Sequence, residues 1–141
     1  MSRVRKVVAY ITLGDKLLVF NHRDYPEAGV QVPAGTVEEE EELPDAVLRE
    51  AEEETGLQGL QLVKYLGAED FDAAKVGRGG EVHERHFFHL QCANPAPEKW
   101  RHWEMTPSGE DKTPVAFDLY WADKEDAGLS HDFDALLKKI S

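Results

Sequence analysis

The sequence contains a single cysteine and lacks any hydrophobic segment long enough to cross a membrane. Cys92 has no partner for a disulfide within the chain, and so little cysteine is typical of a reducing compartment. The N-terminal apolar run, residues 7–13, ends at Gly14, whereas a membrane-spanning helix needs about 20 apolar residues. The run therefore favours a strand over a signal peptide. We expect a cytoplasmic protein that does not insert into membranes.

Basic residues are also scarce. Sixteen Lys and Arg oppose 28 Asp and Glu, and the net charge is -12. Because a protein that binds long nucleic acid needs a basic surface for the phosphates, this composition argues against such a partner. The sequence has no internal repeat, and 141 residues that are 41% hydrophobic fit one domain with a single core, residues 1–141.

The negative charge is concentrated in one segment, residues 35–57. This segment holds ten carboxylates and one arginine, so it carries -9 of the net -12. The other 118 residues are only mildly acidic, at -3. Such local charge indicates a site, because a general aid to solubility would be spread over the chain.

A helix that begins near Pro44 would place Glu50, Glu53 and Glu54 together at the edge of its apolar stripe. Like charges three and four residues apart destabilise a helix by roughly 0.2 to 0.5 kcal/mol per pair. A divalent cation held by carboxylate oxygens would offset this repulsion. The segment is not an EF-hand calcium loop, which needs alternating Asp or Asn ligands around a central glycine.

The spacing of the polar residues in this segment follows a known pattern. Gly35 is followed by five residues and Glu41, and then by seven residues and the pair Arg49-Glu50. The run closes with AEEETGL. This segment resembles the Nudix box of the Nudix hydrolase family at every fixed position, with Ala51 where the family usually has a larger aliphatic residue. The resemblance implies an enzyme that cleaves a nucleoside diphosphate linked to another moiety.

The resemblance also implies roles for the box residues. The expected metal site takes Mg²⁺, with Mn²⁺ as the alternative, and its candidate ligands are the Gly35 carbonyl, Glu41, Glu50, Glu53 and Glu54. One of the helix glutamates, with Glu53 and Glu50 as the catalytic candidates, or a water that they orient, would take the proton of the attacking water. Arg49 would hold a carboxylate in place. Glu41 would lie close to Arg49 or to the metal ions.

Outside the box, three residues are candidates for substrate binding. Arg23 is the last residue of a predicted strand, and Arg78 lies in a glycine-rich segment, residues 73–80, so either guanidinium could contact a diphosphate. Trp103 could stack on a base. The alternatives are a solvated hairpin loop around Arg78 and a surface loop around Trp103. A later carboxylate could join the metal site, and its candidates are Glu81, Glu84, Glu104 and Glu110.

The remaining pattern predicts an α/β fold. Gly14-Asp15 favours a tight hairpin turn. Phe87 and Phe88 would point to opposite faces of a strand that is covered on both sides, and the nearby histidines alternate in the same way, so they would not converge on a metal. We predict strands at 5–13, 17–23, 30–32, 60–69, 82–91 and 115–121, helices at 44–55 and 132–140, and an irregular stretch around 100–104. The resemblance implies a single-domain, Nudix-type α/β/α sandwich with a mixed β-sheet.

Other functions on the same fold stay open. A binding module that senses a nucleotide would be favoured by the loss of a box glutamate, and none is lost. An isoprenoid-diphosphate isomerase would need further acid and nucleophile residues, which the sequence does not identify. Hydrolysis at an RNA 5′ end is disfavoured by the acidic charge. The resemblance leaves the nucleoside diphosphate derivative undefined and implies a possible homodimer.

Overall fold

The computed structural model describes residues 2–105 and 113–140. Over these residues the chain forms a seven-stranded mixed sheet and one α-helix. The strands are β1 (Ser2–Leu13), β2 (Lys16–His22), β3 (Ala34–Thr36), β4 (Leu60–Asp72), β5 (Glu81–Cys92), β6 (Lys99–Glu104) and β7 (Val115–Asp123), and the helix is α1 (Leu43–Thr55). The predicted α/β class is confirmed.

The sheet divides between β1 and β2, and this division creates the space for a site. The strand order is β4-β5-β1-β2-β7-β6, with β1 and β5 parallel. Gly14, at φ 61°, turns the β1–β2 hairpin as predicted, but β1 and β2 pair only next to that turn. Farther along, β1 pairs with β3 and β2 pairs with β7. The chain between β2 and α1 therefore enters the gap between the two halves of the sheet.

Each face of the sheet buries its own apolar cluster. One cluster includes Phe88 and packs against the apolar face of α1, where Val47 and Ala51 are buried. The other includes Phe87 and packs against the C-terminal segment around Phe133. The prediction that these adjacent phenylalanines face opposite ways is thus confirmed, because successive side chains of a strand alternate.

The predicted C-terminal helix, residues 132–140, is wrong. The segment consists of turns followed by a 3₁₀ helix at Leu137–Ile140. The buried hydroxyl of Tyr10 donates to the Phe133 carbonyl and accepts from the Leu136 N–H, at 2.5 and 3.3 Å. This tertiary contact uses backbone groups that an α-helix would pair internally. The amphipathic pattern of the segment reflects the burial of Phe133 and Ile140, but it does not correspond to an α-helix.

Two other predictions were wrong. The stretch around 100–104 is the regular edge strand β6, paired with β7 along its whole length. The predicted strand at 30–32 makes only isolated bridges, from Gln31 to Phe20 and from Val30 to Leu129. The strand that enters the box instead lies at β3. Prolines at 95 and 97 precede β6 and do not interrupt it.

The described helices include none long and apolar enough to cross a bilayer.

The glycine that ends α1 provides a test of the fold. Gly56 has φ 77°, and a Cβ there would lie 2.8 Å from Nδ1 of His102. Gly77 is a matched control, since its φ is 81° and a Cβ would meet no described atom within 4 Å. We predict that Gly77→Ala lowers the free energy of unfolding by about 1 kcal/mol, because a left-handed backbone is strained for alanine. Gly56→Ala should lower it further, as His102 must move. Urea unfolding measures both, and equal losses would contradict the predicted contact.

Candidate active site

The box helix positions its glutamates through one buried face and one defined end. Ala46, Val47, Glu50 and Ala51 are buried toward the sheet. Gly56 then ends the helix in the left-handed conformation, with its N–H bonded to the Glu52 carbonyl. Because residues three and four apart share one side of a helix, Glu50, Glu53 and Glu54 lie along the rim of the buried face.

Arg49 is the centre of the hydrogen-bond network at this site. Its Nε and Nη2 donate to the two oxygens of Glu41, each at 2.9 Å, and Nη1 donates to Glu50 at 2.9 Å. Nη1 also approaches Glu53 at 3.4 Å, and Nη2 donates to the Thr36 carbonyl at 3.1 Å. One guanidinium therefore joins the loop before the helix to two helix glutamates, as a rigid planar donor set can.

The Glu41 carboxylate is paired with the Arg49 guanidinium. Both of its oxygens accept from the guanidinium, and one also accepts from the Glu38 N–H at 3.0 Å. The Arg49 hydrogen bonds hold the pKa of Glu41 near 2, well below its usual range. Of the two positions that the sequence interpretation left open for Glu41, the structure shows the one beside Arg49.

Gly35 allows the β3 backbone to approach the helix closely. It is paired with Val7 of β1, and a Cβ at this position would overlap the carboxyl group of Glu50. Any other residue here would displace that carboxylate. The glycine of the box is thus required by the contact itself, independently of the resemblance.

Strand β6 adds a fourth carboxylate, that of Glu104, because its side chains bond to the carbonyls at the C-terminal end of α1. Trp100 Nε1 donates to the Thr55 carbonyl at 2.8 Å, and His102 Nε2 lies 2.8 Å from the Glu53 carbonyl. These contacts pair backbone carbonyls that a helix end leaves free. Glu104, two residues farther on the same face, is thereby brought against Glu54.

The carboxylates at this point are crowded and poorly solvated. Burial raises the pKa of Glu50 to about 7, against the opposing effect of Arg49. Burial and the neighbouring charge of Glu104 raise the pKa of Glu54, whose Oε1 accepts from the Ala34 N–H at 2.8 Å. Burial also raises the pKa of Glu104, which is 5% exposed and whose Oε2 has no hydrogen-bond partner among the described residues. The described residues therefore place too little positive charge beside these three carboxylates to offset their burial.

A hard cation fits this donor set. Its preferred ligands are carboxylate and carbonyl oxygens, and Glu104 offers an unused buried oxygen beside Glu54 and the Gly35 backbone. Arg49, however, already donates to one oxygen of Glu50. Over residues 2–105 and 113–140, no three acidic, histidine or cysteine side chains are already arranged as a metal centre. Carboxylate rotation toward the cation is therefore part of the fit.

Of the four candidates for a later carboxylate, the structure brings Glu104 to the site. Glu84 pairs with Arg3 at 3.0 Å and with His86 at 2.7 Å, and Glu81 pairs with His83 at 3.0 Å. Glu110 lies outside the described residues. The signal for Glu104 was present in the sequence, because the alternation of residues 100–104 is that of a strand with Trp100, His102 and Glu104 on one face.

Two of the three predicted substrate-binding residues contact each other. The Arg23 guanidinium stacks on Trp103, 4.8 Å from the ring centre, and pairs with Asp24 at 2.9 Å. Trp103 is 41% exposed. Arg78 is exposed and lies 4.0 Å from Glu81. Arg23 and Trp103 thus form one surface, next to Asp24, while Arg78 lies apart from them.

A cavity of about 340 Å³ opens beside the carboxylates, in the gap of the sheet. Gly35, Glu54 and Glu104 line one part of it. Sequence reasoning assigned no site role to its other polar lining, which consists of Lys6, His22, Gln31, His83, Arg85 and His131. These residues lie on five separate segments without a shared motif, so only the tertiary fold brings them together.

The chain matches the family model described as the NUDIX domain over residues 2–138. It therefore belongs to the Nudix family. Membership supports hydrolysis of pyrophosphate-type bonds as the general activity, with a divalent metal and small nucleotide substrates as its general features. No curated protein matches the sequence.

Solved Nudix structures share the fold. The E. coli dihydroneopterin triphosphate pyrophosphohydrolase is 18% identical with a TM-score of 0.70, and the alignment covers 99% of this chain and 97% of that one. A MutT Nudix hydrolase from Burkholderia pseudomallei is 24% identical with a TM-score of 0.63, over 100% of both chains. A UDP-X diphosphatase is 18% identical with a TM-score of 0.67; the alignment covers 99% of this chain but 63% of that protein. These similarities establish the architecture.

The raised carboxylate pKa values predict how metal-free stability depends on pH. Between about pH 4.5 and about pH 7 the folded protein holds a proton on Glu50 that the unfolded chain has released. With a chelator present, the free energy of unfolding should therefore fall as pH rises through this window, by up to about 1 kcal/mol per pH unit for each such group.

Urea unfolding at about pH 5 and about pH 7 measures this dependence. Glu50→Gln should reduce the decrease, and Glu52→Gln, on the exposed side of the same helix, should leave it unchanged. An equal decrease in both variants would show that Glu50 does not hold the proton.

Proposed function

We propose that this protein hydrolyses the pyrophosphate bond of a nucleoside diphosphate linked to another moiety, with Mg²⁺ or Mn²⁺ bound at the box. The observation that carries the proposal is the convergence of Glu54, Glu104 and the Gly35 backbone at the wall of a cavity large enough for a small substrate. A pyrophosphate is anionic, so these carboxylates would repel it unless cations lay between them.

Gly35 through its carbonyl, Glu50, Glu53, Glu54 and Glu104 would hold the metal. When bound, the metal would neutralise the substrate oxygens and lower the pKa of a bound water. Glu41 would act through Arg49, since its two oxygens already accept from that guanidinium.

Among the helix glutamates, Glu53 is the best candidate for the general base. Glu50 is buried against Gly35 and bonded to Arg49 at 2.9 Å, and Glu54 accepts from the Ala34 N–H. Glu53 is partly exposed, and its contacts with Arg49 are longer, at 3.4 and 3.5 Å. It is therefore the freest of the three to take a proton from water that attacks phosphorus. Arg49 would keep its carboxylate oriented.

The substrate would extend from the carboxylates into the cavity. Phe20 and Phe117 form an aromatic wall there, with ring centres 4.4 Å apart, and His22 and Gln31 add polar groups beside it. A flat base suits such a lining. Arg23, Trp103 and Arg78 would act at the rim, where an extended substrate could reach them. The names of the structural neighbours, a pteridine triphosphate enzyme and a UDP-X diphosphatase, suggest the range of moieties to test.

A nucleotide-binding module without catalysis is the second candidate, and an isomerase of isoprenoid diphosphates is the third. The unpaired Glu104 oxygen and the complete set of box glutamates favour catalysis over binding alone. A cytoplasmic location and a homodimer belong to the same proposal, on the basis of composition and of the family.

The proposal predicts metal-dependent turnover that depends on particular glutamates. A phosphate-release screen should cover nucleoside triphosphates, nucleotide sugars, ADP-ribose and dinucleoside polyphosphates, with and without Mg²⁺. Glu53→Gln and Glu54→Gln should each lower kcat by about 10² to 10⁴-fold, because each removes a charge that acts on the reacting groups. Glu52→Gln is the matched control, and its kcat should stay within about twofold of the wild type because its side chain faces solvent.

Tight nucleotide binding without turnover in any Mg²⁺ condition would favour the binding module. Turnover that persists in both Glu53→Gln and Glu54→Gln would instead show that the box does not carry the chemistry.

Strand β6 carries a separate prediction. Glu104→Gln should raise the Mg²⁺ concentration required for half-maximal activity by about tenfold or more, since it removes one anionic ligand. Glu98→Gln, near the start of β6 and exposed, is the control. Equal Mg²⁺ dependence in the two variants would exclude Glu104 from the metal site.

A further inference from the structure

Two cationic side chains of the cavity lining come from neighbouring strands. Lys6 of β1 is in register with Arg85 of β5, and both line the cavity. Lys6 donates to the Thr36 hydroxyl at 2.6 Å, and Arg85 donates to the His131 carbonyl at 2.5 Å. Within the described residues neither has a carboxylate oxygen within 4.0 Å, whereas most other arginines of this acidic chain form ion pairs.

Arg85 is held rigidly. Its guanidinium lies between two phenyl rings, 3.7 Å from the centre of Phe71 and 4.1 Å from the centre of Phe133. The residue is 5% exposed. Burial lowers the pKa of Arg85 to about 10, so it stays charged at neutral pH. The ring contacts favour the cation but leave most of its hydrogen-bond donors unused.

An unpaired buried charge is unfavourable unless another group compensates it. Burial also lowers the pKa of Lys6, and the nearby charge of Arg78 acts in the same direction. The carboxylates of Glu50, Glu81 and Asp132 act on this pair only from beyond ion-pair distance. The protein thus holds two cations of neighbouring strands at one cavity and leaves most of their hydrogen-bond donors without a described partner, which is the arrangement of an anion receptor.

We propose that Lys6 and Arg85 form a subsite for a phosphate group of the substrate that lies beyond the scissile pyrophosphate. This inference rests on the proposed function and narrows its substrate class. Lys6 is paired with Thr36, next to Gly35, so the subsite adjoins the carboxylate site. The favoured substrates are those with a third phosphate, either the terminal phosphate of a triphosphate or a phosphate on the moiety beyond the diphosphate.

Phosphate binding tests the subsite without catalysis. Inorganic phosphate is titrated into the full chain with a chelator present, and NMR follows the Arg85 Nε–Hε signal and the amides of β1 and β5. Lys6→Gln and Arg85→Gln should each weaken binding by about tenfold or more, as expected for the loss of a charge-assisted hydrogen bond. Lys16→Gln removes the same charge from an exposed ion pair with Asp123 and should bind phosphate like the wild type. Unchanged binding in Lys6→Gln, or no binding by the wild type, overturns the subsite.

The second arm distinguishes the sources of the phosphate. For wild type and Lys6→Gln, kcat/KM is measured with a nucleoside triphosphate, a nucleotide sugar phosphate and a nucleotide sugar. The value for each of the first two substrates is divided by the value for the nucleotide sugar, and the two ratios are compared between the proteins. A fall of about tenfold in either ratio supports the subsite and identifies the source. Equal changes for all substrates overturn it. Phosphate binding without turnover would support the subsite and contradict the proposed hydrolase. Turnover that is unaffected by Lys6→Gln and Arg85→Gln would support the hydrolase and contradict the subsite.

Discussion

A single guanidinium, that of Arg49, makes the acidic segment compatible with a folded protein. It pairs with Glu41, Glu50 and Glu53, which meet at the edge of the core. Its contact with the Thr36 carbonyl also fixes the loop relative to the helix. The remaining carboxylates, Glu54 and Glu104, lie beyond its described contacts, and the unsatisfied electrostatics of the site are therefore concentrated there.

The divided sheet explains why this chemistry has room beside it. A continuous β1–β2 ladder would fill the space between the strands, but the pairing ends soon after the Gly14 turn. The loop that leads to the helix then supplies β3, and Gly35 of this strand lets the backbone approach Glu50. On the other side, β6 reaches the end of the helix by donating to its carbonyls. Candidate site residues from α1, β3 and β6 thus share one cavity wall.

The parts of the site that the sequence predicted are those that lie close together along the chain. The box helix and its Arg49 network depend on spacings of three, four and eight residues, and the structure shows them together. Lys6 and Arg85 are 79 positions apart and come into register only through the pairing of β1 with β5, which local patterns do not specify. The predicted C-terminal helix was wrong for a related reason. The hydroxyl of Tyr10, more than 120 residues away, forms hydrogen bonds with backbone groups that the helix would have paired internally.

The charge distribution of the cavity connects these observations. Carboxylates without enough cations lie at the helix end, and cations without carboxylates lie on β1 and β5. The two groups form no described ion pair with each other, and Arg49 already pairs with Glu50, whose charge also acts on Lys6. The proposed polyphosphate with its metal would be complementary to both groups at once, since the metal would meet the carboxylates and a free phosphate would meet the cations. Opposite charges kept apart in this way define a polarity along the cavity, and that polarity would orient the substrate before any base contact forms.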